Sequence, residues 1–539
     1  MRIARRLSPC LAAFALFSWH AASAQPTSER YRIDDLVPPS EFHGVHGLAF
    51  DSHDRLYAGS VVGHSIYSVD TASGVVKGFV GAPEGMADDL VFLADDTVVW
   101  TSIQHGVVRA RKGDGPVRKI ADLVSVNSIN VRKSDGRLFA AQVFGGDALW
   151  EIDPAGVGPP RLILKDLGGF NGFDIGPDGM LYGPLWFKQQ VVRIDPDSGA
   201  LKVVADGFDT PAAANFDSKW NLYVLDTARG EVVRVDIRSG RKQVLARLAT
   251  SLDNLAIDSR DRMFVSNMAD NGIQEVDVRT GAVRQVVKGT LAIPLGIASV
   301  TDGARDTLYV ADVFALRSVD TSQGKVTDIA RSHAAGTPIG YPVAVTANQQ
   351  YVIVTNNEGP VQRYERKTMR LVQSWTDTHA GNAIQMPSGA LIVAETTRGK
   401  LSRITGAGKD EQRSDITGDL AAPLGLAIAG DDAVYVSEMA AGRVSRVDLS
   451  SGARRVIAQG LDRPQGIATE GSTVLVVEAG KQRLVRVNPQ SGAIEVIARG
   501  LAIGLPNVPI TLAGVAVGAG GTIYVTSDVR NSISRLRKK

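Results

Sequence analysis

Six positions at the start of a recurring strand carry His46, Asp88, Asn127, Asn171, Ala212 and Asp253. If they converge on one axis, two carboxylates, two amides and an imidazole supply hard oxygen donors beside a titratable base. That combination suits Ca²⁺, Mg²⁺ or Mn²⁺ with a general acid or base next to it. Asp88, Asn127, Asn171 and Asp253 are therefore the expected metal ligands. The same strand position later in the chain carries Leu295, Tyr341, Gly381, Leu424, Gln465 and Ala513, which are mostly apolar or small. Chemistry is expected in the first half.

Histidine placement points the same way. His43 and His46 flank the first of these positions, and His64 and His105 fall in the next strand connections on the same side. Imidazole titrates near neutral pH and suits proton transfer. His46, His64 and His105 are the expected catalytic residues, with His46 first because it begins a strand that should line the channel. His53, in a turn on the opposite face, reads as an exposed loop residue.

The elements that must position these groups are short strands. Residues 170–199, FNGFDIGPDGMLYGPLWFKQQVVRIDPDSG, alternate strand-like runs with Pro-Asp-Gly and Asp-Ser-Gly turns. The pattern recurs, with the middle of each first strand at Leu48, Leu90, Ile129, Phe173, Ala214, Leu255, Ile297, Val343, Ala383, Leu426, Ile467 and Val515. A four-stranded unit of about 40 residues cannot bury both faces alone, so such units stack as β-propeller blades. Twelve exceed the usual four to eight blades of one ring. The expected fold is all-β: two tandem six-bladed β-propellers of four-stranded antiparallel blades, spanning 25–280 and 281–539. The last unit ends at Lys539 without a fourth strand, and an orphan strand, Tyr31 to Val37, precedes the first. The expected closure has Tyr31 to Val37 sealing ring one and Val283 to Gly289 sealing ring two.

The unit NGFDIGPDGMLYGPL resembles those of senescence-marker/gluconolactonase-like propellers, and GLAIAGDDAVYVSEMAAGRVSRVDLSSG resembles NHL repeats and streptogramin-lyase-like propellers. The first resemblance implies a divalent metal at a channel mouth, with Asn171 and Asp253 in two ligand roles and Asn127 as a further contact. It implies a metal-dependent hydrolase opening a lactone or cyclic ester. The second implies a C–O lyase in ring two, where Glu395, Glu438 and Glu478 end successive second strands and His333 and His379 lie in connections on that face. A non-catalytic binding or scaffold propeller, with a protein partner on one face, is the other class of function. No Walker loop, nicotinamide fingerprint, HExxH helix or Ser nucleophile elbow is present.

Residues 1–24 combine Arg2, Arg5 and Arg6, the apolar run LAAFALFSW and Ala22-Ser23-Ala24, the pattern of a cleaved export signal. The expected location is periplasmic or secreted. Cys10, the only cysteine, leaves with this segment, so the mature chain has neither disulfides nor cysteinyl metal sites. Taking three arginines from 59 basic residues leaves 56 against 57 acidic, a near-neutral balance without a basic stripe. Nucleic acid and an anionic membrane are therefore not expected partners, and no further segment is apolar enough to span a bilayer. The expected ligand is a small molecule.

Overall fold

The computed structural model describes residues 25–357, 359–506 and 512–539, so the proposed export signal lies outside the described residues. Twelve four-stranded antiparallel sheets make up the molecule, and the only helical elements among the described residues are three 3-10 turns. Blades one to six span 45–80, 90–122, 126–165, 174–205, 211–247 and 252–287. Blades seven to eleven span 294–331, 342–375, 382–417, 423–459 and 464–499. The first strands of blades one to six pack in a closed circuit, and those of blades seven to twelve form a second circuit. The propeller expectation from repeat spacing holds.

The closure differs from expectation. Tyr31–Val37 pairs with Ser532–Lys538, from Tyr31 opposite Lys538 to Val37 opposite Ile533, and so completes blade twelve in ring two. Val283–Val287 stays in blade six, paired with Gly272–Asp277. The 25–280 and 281–539 boundaries are corrected accordingly: ring one is inserted between the first strand of the chain and the rest of ring two. The physical reason is local. A hairpin turn, with Gly281 N–H donating to the Asp277 carbonyl, folds Val283–Val287 back onto its own neighbour, and only blade twelve is left with an unpaired edge.

Ring one therefore closes without a shared strand. Phe42, Val45, Leu48, Leu56 and Tyr67 of the blade-one side pack on Ala256, Phe264, Ile273, Val286 and Val287 of blade six. Two linkers, 38–44 and 288–293, run side by side between the rings. Ser40 Oγ donates to the Leu291 carbonyl at 2.5 Å, while Asn271 Nδ2 bonds the same carbonyl at 3.1 Å and its Oδ1 accepts Gly44 N–H at 2.9 Å. Asn531, at the matching turn of blade twelve, donates to the Ser40 carbonyl at 3.2 Å. Both asparagines sit in the left-handed region, φ 50° and 52°, which Asn tolerates better than most residues.

The rings meet through a buried apolar cluster and an ion network. Met268 and Ala269 of ring one pack with Leu295, Phe314, Val343, Leu424 and Leu512 of ring two. Arg317, almost fully buried, donates to Asp312 at 2.7 Å and also bonds Asp328 and the Ala269 carbonyl across the interface. Arg331 bonds Asp270 at 2.8 Å and Asn267 at 2.9 Å. A buried guanidinium with every partner in place fixes the mutual orientation, because breaking one contact leaves an uncompensated charge.

Candidate active site

A β-bulge aims the mouth residues of ring one. In blades one, three and six the first strand pairs at Val45, Val126 and Leu252, and regular pairing then resumes at Leu48, Ile129 and Leu255. The unpaired residues His46, Asn127 and Asp253 are therefore turned toward the channel, a known use of bulges. Asp88 reaches the same place from the segment before blade two, where its carbonyl accepts Gly47 N–H at 2.8 Å. Gly47 is required there, since a Cβ would lie 2.6 Å from the Asp88 carbonyl oxygen.

Asp88 and Asp253 are half-buried carboxyls at this mouth, and neither forms a salt bridge within the described residues. Burial, reinforced by each other and by Asp89, raises the pKa of Asp88, against which His46 and the Asn127 amide favour the anion. Burial and Asp89 raise that of Asp253, and among the described residues no side chain donates to it. His46 is buried, and its Nδ1 lies 2.9 Å from the Gly44 carbonyl. A carbonyl only accepts, so Nδ1 carries the proton and Nε2 is the acceptor. Burial lowers the imidazole pKa against the pull of Asp88, so the ring is neutral near pH 7.

A second polar tier lies deeper in the channel and acts as a set of staples. Asp89 accepts Leu90 N–H at 2.9 Å, Ile129 N–H at 3.0 Å and Asn254 Nδ2 at 3.0 Å, joining blades two, three and six. Burial pushes its pKa up to about 7 although those donors favour the anion. Asp174 does the same for blades three, four and five, accepting Asn130 Nδ2 at 3.2 Å and Phe216 N–H at 2.9 Å. Below these residues the channel widens into a cavity of about 720 Å³ that opens on the far face, away from the carboxyl pair. The candidate site thus lies at the opposite end of the channel from this cavity.

Ring two supplies a wall to this mouth. Phe314 packs its edge 5.7 Å from the His46 ring and lies over Gly44, where φ is 72° and a Cβ would meet the ring at 2.4 Å. Tyr341 stands 5.9 Å from Phe314, and its phenol bonds His333 Nε2 at 2.9 Å. Burial, with Asp253 and Asp88 nearby, pushes the phenol pKa up to about 12. Trp186 of blade four then meets His333 at 5.4 Å.

The expected site residues separate into three places. Asp88, Asn127, Asp253 and His46 come together at the mouth. Asn171 turns its Oδ1 onto Gly172 N–H at 2.9 Å, so that oxygen is committed to its own strand. His64 and His105 are apart from His46: they pack on each other with centroids 5.4 Å apart, and His105 Nδ1 faces Arg109 at 3.2 Å. Burial, His105 and Arg109 push the His64 pKa down to about 4. Among the described residues no group of three or more His, Cys, Asp or Glu has an arrangement able to hold a metal ion. Asp88, Asp253 and the Asn127 amide are the hard donors that the mouth offers.

In ring two the acidic strand ends are saturated. Glu438 accepts Arg443 at 2.8 and 2.6 Å, Ser445 Oγ at 2.6 Å and Ala421 N–H at 3.1 Å. Burial alone would raise its pKa, but these donors win and lower it. Glu478 is bound by Arg483, Lys481 and Asp462 N–H, and Glu395 by Ser402 and Arg398. His379 is exposed. Sequence reasoning missed Phe314, His333 and Trp186 as parts of the first mouth, and no local pattern marks them.

No protein family matches the chain, and no curated protein does. Solved structures do. One is a GH74 xyloglucanase from Xanthomonas campestris, 14% identical, with TM-score 0.50 over 94% of this chain and 100% of that one. Another is the extracellular domain of a "putative one component system" from B. thetaiotaomicron, 8% identical, with TM-score 0.33 over 94% of this chain and 83% of that one. A third, a "putative gluconolactonase", is 12% identical with TM-score 0.38 and covers 49% of this chain and 99% of its own. The twelve four-stranded sheets closed into two circuits, with the fold likeness to the xyloglucanase, define the chain as a β-propeller protein. At such identities the likeness bears on fold alone. Among the described residues no helix is long and apolar enough to cross a membrane.

Proposed function

We propose that the protein is an exported hydrolase whose reaction site is the mouth of ring one and whose substrate carries a lactone or cyclic ester. The observation behind this reading is the Asp88–Asp253 pair: two carboxyls at one half-open mouth, without a basic partner among the described residues, beside a neutral imidazole. Neighbouring carboxyls in a poorly solvated place share a proton, which makes one an acid and the other a base. Asn127 favours the anion at Asp88 and no donor reaches Asp253 among the described residues, so the proposal assigns the shared proton to Asp253. Asp88 takes a proton from water as the water oxygen bonds to the ester carbonyl carbon. Asp253 then protonates the ring oxygen as the C–O bond breaks, leaving a hydroxy acid. His46, fixed by Gly44, presents Nε2 as an acceptor that orders the water.

A hard divalent cation, Ca²⁺, Mg²⁺ or Mn²⁺, is the alternative form of the proposal: with both carboxyls deprotonated, Asp88, Asp253 and the Asn127 amide would hold it, and His46 Nε2 in place of Asp88 would take the proton from water. When bound it would polarise the ester carbonyl. Turnover of a lactone panel by the mature protein, with and without chelator, tests the reading. Asp88→Asn and Asp253→Asn should each lower kcat/KM by about 10² to 10⁴-fold with the fold intact. No turnover by the parent on any lactone or cyclic ester would leave a binding propeller.

A further inference from the structure

A row of aromatic side chains that the hydrolytic step does not use crosses from ring one to ring two. From the rim inward, Phe144 packs on Trp186 at 5.6 Å and on Phe187 at 6.0 Å. Trp186 then meets His333 at 5.4 Å, His333 meets Tyr341 at 5.5 Å, and Tyr341 meets Phe314 at 5.9 Å. Phe144 and Phe187 are 53% and 58% exposed, and Tyr341 37%, although each is an apolar or amphipathic ring that burial would favour. They come from different blades and both rings: Phe144 from blade three, Trp186 and Phe187 from blade four, His333 and Tyr341 from the connection between blades seven and eight. Large exposed rings gathered on one surface mark a ligand site more often than an accident of packing.

The geometry points to a neutral oligosaccharide as the ligand of this row. The aromatic row runs from open solvent to Tyr341 and Phe314, whose ring centroid lies 5.7 Å from that of His46 at the mouth. A sugar ring offers C–H faces that pack on aromatic rings and hydroxyl groups that donate hydrogen bonds. The floor answers the hydroxyls with acceptors, the carboxyls of Asp88 and Asp253 and the amide of Asn127. An anionic polymer would meet those carboxyls without a compensating cation. A purely apolar ligand would bury the same carboxyls and amide without hydrogen bonds, at a cost. The substrate whose ester is opened at the mouth is then the end of a saccharide, with further sugar units lying along Tyr341, Trp186, Phe187 and Phe144. This assignment rests on the mouth being the reaction site, yet binding is measurable apart from reaction.

The experiment is titration of the mature protein, both carboxyls in place, with the ester-free sugars cellohexaose, maltohexaose and, as an acidic control, hexagalacturonate, followed by calorimetry and tryptophan fluorescence. One neutral hexasaccharide should bind and perturb the emission, the hexagalacturonate should bind at least tenfold more weakly, and the matching monosaccharide should bind at least tenfold more weakly as well. Adding Trp186→Phe should weaken binding modestly, and Trp186→Ala with Phe187→Ala at least tenfold, with unchanged melting temperature. Absence of neutral-saccharide binding at millimolar concentration, preference for the acidic chain, or binding indifferent to Trp186 and Phe187 would overturn the inference. Binding without lactone turnover by the parent would overturn the hydrolase reading instead.

Discussion

Two rings with the same blade and the same bulge at the mouth have opposite interiors. In ring one the bulge presents His46, Asn127 and Asp253 to a half-open mouth; in ring two it presents Leu295, Leu424 and Gln465. Leu295 and Leu424 are buried because ring two turns that face into the inter-ring cluster with Met268, Ala269 and Phe314. Their apolarity is the signature of an interface rather than of a site lacking chemistry. Carboxyls differ in the same way. Among the described residues Asp88 and Asp253 lack cationic partners, whereas Glu438 and Glu478 are held by arginines and backbone N–H groups. The ring that gives up its mouth to packing supplies the wall for the other.

Removing the strand that only ring two uses should break this symmetry most strongly. Deleting Tyr31 to Val37 exposes the edge of blade twelve and removes the buried Tyr31, Leu36 and Val37 from the core, a loss of about 5 kcal/mol or more at roughly 1.5 to 3 per side chain. Hydrogen exchange should then rise through blades seven to twelve while blade one to blade six amides stay protected. Greater loss in ring one would contradict the closure described above.

A charge placed in the second mouth should come next. Leu424→Asp puts a carboxylate into the inter-ring cluster without a partner, and should cost about 3 kcal/mol or more in chemical denaturation. If the variant is as stable as the parent, that face is wetter than the packing implies.

Glu438→Gln should cost about 1 to 3 kcal/mol, because Arg443 and Ser445 lose a charged acceptor, while lactone turnover is unchanged. Loss of turnover with stability intact would move the site to ring two. The native pKa of Glu438 is lowered, so its contribution is present above the unfolded value near 4.5 and is lost as pH falls through the folded one. The stability gap between parent and Glu438→Gln should therefore narrow in acid.

The smallest effect has the opposite sign. The pKa of Asp253 is raised, so the native state holds its proton more tightly than the unfolded chain. That contribution is full below the unfolded value near 3.8 and is lost as pH rises through the folded one. Asp253→Asn should be more stable than the parent at pH 8, by about 1 to 2 kcal/mol once the half-buried position is discounted, and match it near pH 4. A variant that melts lower than the parent at pH 8 would mean that Asp253 is paired in solution, as it would be with a resident cation.

Much of this molecule is written locally. The alternation in runs such as RLYAGS and NLYVLD, the Asp-Gly and Ser-Gly turns between them, and their recurrence at roughly 40-residue intervals determine twelve blades, because each strand's neighbours are its neighbours in sequence. The same regularity singles out His46, Asp88, Asn127 and Asp253, since equivalent positions in successive blades must face one axis. What only the tertiary structure decided concerns pairs of residues far apart in the chain. Tyr31–Val37 has two rings it could close, and its pattern of buried side chains fits either; only the unpaired edge at Ser532–Lys538 selects one. His64 and His105 share a face with His46, yet blade curvature sets them beside each other and Arg109 rather than beside it. Phe314, Tyr341, His333 and Trp186 gather at the first mouth because Arg317, Asn271 and the Leu295–Phe314 cluster fix one ring against the other, and that packing between rings leaves no period or spacing in the sequence.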